Sequence, residues 1–208
     1  MNKYVRESAP LYKKALIIGA TSGIGSALAA KLHAEGTSVI LASIPSFATI
    51  VQEHPDLDAV ILNAGIQRPF DFARLGSVDL GMFGKEWRTD YVACVHLATA
   101  FLPHLQRMIR RCPLVPTLVR APGYNASKAA LHSWVTNLRQ QLRDAEDTGI
   151  KVVKVFPPAV QTELHDTKHQ PDLVNGGEIG LPLDAFTEQM YEGLIRGDKQ
   201  FAIGPHKE

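Results

Sequence analysis

The sequence predicts an α/β protein in which helices cover both faces of a doubly wound parallel sheet. Short apolar runs alternate with longer segments of helical periodicity, which is typical of parallel strands joined by helical crossovers. The 208 residues are 45% hydrophobic and 21% charged, as is ordinary for a chain with one core. No repeat or long polar linker divides the sequence. We therefore expect a single domain over residues 1–208, with its core at about 15–203 and an N-terminal extension at 1–14.

Charge and cysteine content exclude several classes of protein. Lys and Arg number 22 and Asp and Glu number 21, so nothing favours nucleic acid or an anionic membrane as the main partner. The two cysteines, Cys94 and Cys112, are too few for a disulfide framework. No apolar run approaches the ~20 residues of a membrane span, and the N-terminus lacks the apolar stretch of a signal peptide. We expect a cytoplasmic protein.

The first third of the chain predicts three strands and two helices. In order they are a strand at Ala15–Ile18, a helix at Gly23–Glu35, a strand at Ser38–Ala42, about two helical turns at Ser46–His54, and a strand at Asp58–Leu62. Ile24, Leu28 and Leu32 are spaced by four and share one face of the first helix. Since crossovers are right-handed, we expect the first strand between the second and third, in the strand order 2-1-3-4-5.

The rest of the chain continues the alternation. We predict a helix at Lys85–Arg110, a poor strand at Leu114–Val119, a helix at Asn125–Glu146, a strand at Lys151–Phe156, a loop at Pro157–Leu183, a helix at Asp184–Arg196, and an edge strand at Phe201–Ile203. Pro103 should kink the first of these helices because it lacks a backbone N–H. Asp184 is the predicted N-cap of the last helix.

A glycine-rich turn joins the first strand to the first helix. It reads Gly19-Ala20-Thr21-Ser22-Gly23-Ile24-Gly25, and glycine permits positive φ and close backbone approach. The helix that opens at Gly23 presents free N–H groups and a positive dipole end, which suit a phosphate. A tight turn without a ligand is the alternative interpretation.

A tyrosine and a lysine stand four residues apart at the start of the predicted helix Asn125–Glu146. Tyr124 and Lys128 would project side by side. An adjacent ammonium favours the phenolate, so we expect Lys128 to move the pKa of Tyr124 from about 10 toward neutrality. Such a phenol can give a proton to a carbonyl oxygen or take one from an alcohol.

Four motifs in order resemble the short-chain dehydrogenase/reductase family. They are the glycine turn, Asn63-Ala64-Gly65 after the third strand, Tyr124-x-x-x-Lys128, and the proline-led stretch from Pro157 to Thr162. The resemblance implies a Rossmann-like fold and hydride transfer between a nicotinamide cofactor and a carbonyl or secondary alcohol. It also implies a homo-oligomer built on the helices Lys85–Arg110 and Asn125–Glu146.

The resemblance also implies a role for each matching residue. Tyr124 would be the acid/base, and Lys128 would hold the nicotinamide ribose and tune Tyr124. Asp90 matches the place of an Asn that holds a water in the proton relay, although it could equally be a surface partner of Arg88 or Lys85. The remaining cofactor-binding positions are Gly19, Thr21, Ser22, Gly23, Ile24, Asn63, Ala64, Gly65, Val160 and Thr162.

The sequence departs from the family in two further places. The Ser that usually precedes the Tyr by about a dozen residues is absent, and Thr117 is the nearest hydroxyl before Tyr124. Between Ala42 and Asp56 there is room for one short helix, so part of the adenine pocket is missing or rebuilt. No acidic residue follows the second strand, where an NAD enzyme places one; Ser43 stands there, which favours NADP over NAD.

Three interpretations of function follow. The first is an NAD(P)-dependent oxidoreductase acting on a small carbonyl or alcohol, impaired by the loss of the Ser. The second is a non-catalytic binding or sensor protein on a dinucleotide-binding fold, and the third is a defective, shortened product. We expect no metal site, because His165 and His169 lie in a loop without a third ligand at fixed spacing.

Overall fold

The computed structural model describes residues 9–42, 47–72, 78–107, 111–114, 122–145, 150–166, 168–170 and 173–204. Its strands are β1 (Lys14–Ile18), β2 (Ser38–Ala42), β3 (Ala59–Leu62), β4 (Arg111–Leu114), β5 (Lys151–Phe156) and β6 (Gln200–Ala202). They form one parallel sheet in the order β2-β1-β3-β4-β5-β6. The predicted order is confirmed, and β6 is the predicted edge strand. In the register, Ile18 lies beside both Ala42 and Leu62.

The helices are α1 (Gly23–Ala34), α2 (Phe47–Glu53), α3 (Leu80–Trp87), α4 (Ala93–Gln106), α5 (Pro122–Asp144) and α6 (Leu183–Arg196). Alternate residues of β1 point to opposite faces of the sheet. Ala15 and Ile17 join a core formed with α1 and α6, whereas Leu16 and Ile18 join a core formed with α2, α4 and α5. Helices therefore cover both faces, as the sequence predicts.

The predicted helix Lys85–Arg110 differs most from the structure. It begins earlier, at Leu80, where the Asp79 carboxylate accepts the Met82 N–H at 2.9 Å. A π-helical turn at Arg88–Val92 separates α3 from α4, and α4 includes Pro103. A π turn adds one residue to a single turn of an α-helix, and its residues have no distinctive composition. The spacing of hydrophobic residues therefore does not predict it.

Two other boundary predictions are wrong. The helix α6 begins at Leu183, and the cap position is Pro182, with φ −52° and ψ 141°; the proline ring fixes this entry. Asp184 therefore lies in the first turn, where it accepts the Ala185 N–H at 2.7 Å. The described fourth strand is Arg111–Leu114, so it begins three residues before the predicted Leu114–Val119, because its position depends on pairing with β3 and β5. Residues 115–121 lie outside the described part of the chain.

The segment between β2 and β3 contains one helix, α2, as expected, and Ser43 lies outside the described residues. Within the described ranges, no helix combines the length and the apolar character that a membrane crossing requires.

Candidate functional site

A cleft of about 420 Å³ opens at the carboxyl ends of β1, β3 and β5. This is where ligands bind in doubly wound parallel sheets. Every residue that the sequence assigns to cofactor binding lines this cleft, together with the proposed acid/base pair: Gly19, Thr21, Ser22, Gly23, Ile24, Asn63, Ala64, Gly65, Val160, Thr162, Tyr124 and Lys128. Residues from distant parts of the sequence thus meet at one site.

The glycine turn has the backbone geometry that its sequence predicts. Gly19 and Gly23 have φ values of 83° and 55°, in the region that favours glycine. A Cβ on Gly19 would lie 2.5 Å from backbone atoms of Ala64, and one on Gly25 would lie 2.2 Å from the Gly19 carbonyl oxygen. The turn is therefore packed directly against the segment after β3, with no space for side chains at these two positions.

The N-terminus of α1 opens onto the cleft. Ser22 occupies the cap position in an extended conformation, and its side chain makes no capping hydrogen bond. Thr21 and Ser22 are both exposed. Since the first N–H groups of a helix have no intrahelical acceptor, this end can bind a phosphate oxygen through backbone N–H groups and the hydroxyls beside them.

Asn63 connects the third strand to the glycine turn. Its side-chain amide donates to the Gly19 carbonyl oxygen at 2.8 Å, and its backbone N–H donates to the Ile18 carbonyl oxygen at 3.0 Å. The amide thus supports the shape of the turn, while Ala64 and Gly65 continue along the wall of the cleft.

Tyr124 and Lys128 lie side by side on the first turns of α5. The Lys128 Nζ is 5.0 Å from the centroid of the Tyr124 ring, Lys128 is buried, and Tyr124 is half-buried. Between them, the Ser127 hydroxyl donates to the Tyr124 carbonyl oxygen at 2.7 Å. The geometry brings the pair together as the spacing predicts.

The expectation that the pKa of Tyr124 moves down toward neutrality is wrong. Burial raises the pKa of Tyr124 above its usual value, and Lys128 lowers it by less than burial raises it. Burial lowers the pKa of Lys128, but the acidic groups around it, Tyr124 and then Asp90, raise that pKa by more when they are ionised, so that it lies above the ordinary value. At neutral pH the site therefore holds a neutral phenol beside an ammonium group. The charge of Lys128 can be read from the sequence, but the solvation that Tyr124 loses depends on the packed fold.

Asp90 lies behind the cleft wall on the π turn, fully buried. Its Oδ1 accepts the Ile66 N–H at 2.9 Å, and a Cβ on Gly65 would lie 3.2 Å from that oxygen and 3.8 Å from the Lys128 Nζ. Burial raises the pKa of Asp90 to about 6, although Lys128 lowers it. The alternative in which Asp90 is a surface partner of Arg88 or Lys85 is therefore wrong.

The loop after β5 lines the cleft and packs against the end of the glycine turn. A Cβ on Gly23 would lie 3.3 Å from the Thr162 methyl group, so Thr162 packs against the start of α1. Val160 is buried and forms an isolated bridge with Leu181, which fixes this part of the loop.

Several cleft residues were missed by sequence reasoning. Gln67, Arg68, His165 and His169 also line the cleft. His165 is buried beside Gln170, whose amide nitrogen lies 3.1 Å from its Nδ1. These histidines were considered only as metal ligands, and the described residues contain no group of three or more side chains that could hold a metal ion. Their position depends on the path of the loop, for which the sequence carries no periodic signal.

The position of the usual Ser stays without a hydroxyl donor in this sequence. The strand β4 reads Arg-Cys-Pro-Leu and contains no Ser or Thr. Thr117 lies outside the described residues.

Comparisons with known proteins agree with this geometry. A family model described as short chain dehydrogenase matches residues 42–172, more than half of the chain. An uncharacterised oxidoreductase, DltE, of Bacillus subtilis is 29% identical over 221 aligned positions, which cover 89% of this chain and 85% of the relative.

Solved structures show the same fold. A short chain dehydrogenase of Burkholderia cenocepacia in complex with NADP superposes with a TM-score of 0.75 at 19% identity, over 93% of this chain and 88% of the other. One of Sphingobium yanoikuyae in complex with NADPH superposes with a TM-score of 0.72 at 20% identity, also over 93% and 88%.

Proposed function

Since the chain belongs to the short chain dehydrogenase family, we propose that this oxidoreductase transfers a hydride between a nicotinamide cofactor and a small carbonyl or secondary-alcohol substrate. The observation that carries the proposal is the convergence of the glycine turn, Tyr124 and Lys128 on one cleft. A glycine turn without a ligand, or a Tyr and Lys at helical spacing, would each be an ordinary structural feature on its own. Together at the carboxyl edge of a parallel sheet they match a dinucleotide site with an acid/base group beside it.

The residues present fit a dinucleotide cofactor. Gly19 packs against the backbone of Ala64 and, without a side chain, does not block the cleft. The first N–H groups of α1 have no intrahelical acceptor and can bind a pyrophosphate. Lys128 lines the cleft where it can donate to a ribose hydroxyl, and Val160 and Thr162 line the same cleft. When bound, the nicotinamide supplies or accepts the hydride, and the protein supplies position and electrostatics.

The proton chemistry belongs to Tyr124. A neutral phenol can donate its proton to a carbonyl oxygen as that oxygen gains charge, and Lys128 stabilises the phenolate that remains. Asp90 and Lys128 both lie close to Gly65, and the Asp90 carboxylate can hold a water for return of the proton.

The missing hydroxyl donor should reduce turnover. A hydrogen-bond donor aimed at a developing oxyanion contributes about 100- to 1000-fold in rate. We therefore expect turnover at least ~100-fold below that of an otherwise matched chain with the Ser restored, while cofactor binding persists. The short segment between β2 and β3 should weaken binding at the adenine end.

Calorimetric titration of the protein with NADP(H) and NAD(H) tests the proposal. We expect weak binding of both, with NADP(H) favoured because no acidic residue follows β2. Binding should then be followed by slow oxidation of NADPH with a panel of aldehydes and ketones. Absence of binding at millimolar concentration would overturn the oxidoreductase proposal and leave a protein that uses the fold without the cofactor, as a partner, a sensor or a defective product.

We also propose a homo-oligomer that associates through α4 and α5. In the described parts of these two helices, no large hydrophobic side chain is strongly exposed, so the interface would be of mixed polarity rather than a broad apolar patch. A clean ~23 kDa monomer in sedimentation at micromolar concentration would contradict this proposal.

A further inference from the structure

Two buried carboxyl groups accept backbone hydrogen bonds from a segment that lines the cleft. Glu86, at the end of α3, and Asp90, on the π turn, are both fully buried. The Arg68 N–H donates to Glu86 Oε2 at 2.7 Å, and the Ile66 N–H donates to Asp90 Oδ1 at 2.9 Å. The two carboxyl groups thus bind alternate residues of the segment that follows Asn63-Ala64-Gly65, so they fix its path along the cleft.

Glu86 also contacts the helix that carries Tyr124. A Cβ on Gly123 would lie 2.7 Å from Glu86 Oε1 and 2.8 Å from the ring of Phe83. Gly123 directly precedes Tyr124. One side chain therefore contacts both the wall of the cleft and the first turn of α5.

The second oxygen of Glu86 lies in surroundings that do not suit a charge. Glu86 Oε1 is buried and has no hydrogen-bond partner among the residues that the structure describes, and the same holds for Asp90 Oδ2. The ionisable groups that act on Glu86 are Asp90, Arg68 and Lys128, and burial raises the pKa of Glu86 to about 7. Asp90, whose pKa is about 6, ionises first. Lys128 then faces one carboxylate rather than two.

We propose that Glu86 is a positioning residue that acts in its protonated form. It holds the segment Ile66 to Arg68 against the start of α5, and it leaves Asp90 as the single carboxylate facing Lys128. The inference rests on the proposed function only in that Tyr124 and Lys128 are the reacting site. Above the pKa of Glu86, a second buried negative charge appears beside Asp90, and the cleft wall loses stability.

The proton on Glu86 is tested first without any cofactor. Urea denaturation of the wild type, Glu86→Gln and Glu86→Ala is followed between pH 5 and 8.5, with exposed Glu53→Gln as the control. We expect the wild-type and Glu53→Gln midpoints to fall as the pH rises through about 7. The Glu86→Gln midpoint should keep only the fall below about pH 6 that Asp90 contributes, because the amide is shaped like the protonated acid. An equal fall in the wild type and Glu86→Gln would overturn the proposal.

The positioning role is tested by NADPH oxidation with the best carbonyl substrate found. We expect Glu86→Gln to retain wild-type kcat at pH 6.5 and to exceed it at pH 8.5. Glu86→Ala should lose about 10- to 100-fold in kcat at both pH values, because even a small misplacement of the reacting groups lowers the rate by such a factor. Equal kcat in the wild type and in Glu86→Ala would contradict the positioning role. If NADPH neither binds nor turns over while the denaturation profiles behave as expected, it is the proposed function that fails, and Glu86 remains the protonated support of the segment.

Discussion

The side-chain amide of Asn63 donates to the carbonyl oxygen of Gly19 over 2.8 Å, so the end of β3 holds the turn that follows β1. A motif identified by the sequence as part of the cofactor site thus also supports the shape of a second motif. The Gly25 backbone lies close to the same amide, since a Cβ there would be 2.6 Å from Asn63 Nδ2. Two positions of the glycine turn therefore depend on a third that lies about 40 residues further along the chain.

Replacing Asn63 with Ala should weaken NADPH binding by about 5- to 30-fold, because a hydrogen bond of about 1–2 kcal/mol that shapes the turn is lost. Isothermal calorimetry measures the change. Asn137→Ala is the matched control: its amide also donates to a carbonyl oxygen, that of Ser133 at 3.1 Å, but it lies on the exposed face of α5. Equal binding by both variants would show that the turn keeps its shape without Asn63.

Replacing Tyr124 with Phe should leave NADPH binding within about 2-fold of wild type and lower turnover by at least ~100-fold, since the phenol is the proton donor. Tyr191→Phe is the control, because Lys31 Nζ lies 5.0 Å from the Tyr191 ring centroid, as Lys128 does from Tyr124. Tyr191 is on α6, outside the cleft. Turnover that survives Tyr124→Phe would mean that another group is the acid/base.

A methyl group at position 25 should destabilise the protein. In Gly25→Ala the new Cβ would lie 2.2 Å from the Gly19 carbonyl oxygen, and we expect a loss of about 2–4 kcal/mol in the free energy of unfolding. Gly177→Ala should change stability by less than about 0.5 kcal/mol, since no described atom lies within 4 Å of its Cβ position. Urea denaturation of the two variants gives the comparison, and equal midpoints would contradict the tight packing of the turn.

Lys154 should make stability depend on pH above neutrality. It is buried on β5 with its Nζ 4.5 Å from the Phe156 ring centroid, and burial lowers its pKa to about 8. Because this pKa is lowered from 10.5, the unfolded chain binds the proton more tightly than the folded protein does between pH 8 and 10.5. The free energy of unfolding therefore rises with pH across that window, and this gain is lost as the pH falls back through 8.

Lys154→Met should therefore raise the free energy of unfolding at pH 7 by about 1–2 kcal/mol, with the gain shrinking as the pH approaches 10. Lys151→Met, on the same strand but exposed, should show no such trend. A gain that stays constant from pH 7 to 10 would mean that Lys154 is not the group responsible. Thermal or urea denaturation in buffers of matched ionic strength provides the measurement.

Phe101 lies on α4 and belongs to the hydrophobic core between the helices and the sheet. It is fully buried and packs edge-to-face on Phe47, with 5.1 Å between ring centroids. Phe101→Ala should cost about 3–5 kcal/mol of unfolding free energy, whereas Phe72→Ala, at a side chain that is 47% exposed, should cost less than about 1 kcal/mol. Similar denaturation midpoints for the two variants would contradict the assignment of Phe101 to the core.

The sequence by itself determined the class of fold, the strand order and the motif residues that line the cleft. Strands such as Ser38–Ala42 and Lys151–Phe156 are local apolar runs, and their bounds agree with the structure. The right-handed crossover then left one place for the third strand. Gly19, Tyr124 and Lys128, which line one cleft, were predicted together because four motifs in order resemble one family, and motif order is information that a single sequence contains.

Tertiary structure alone decided the electrostatics and the irregular turns. Whether Lys128 or burial controls the pKa of Tyr124 depends on the solvent excluded by the whole fold, and the π turn that aims Asp90 inward forms from residues with no distinctive composition. Glu86 looks like one more surface carboxylate in the sequence, yet it binds the Arg68 N–H out of contact with water. Solvation and long-range contacts are properties of the packed chain, and no local pattern of residues specifies them.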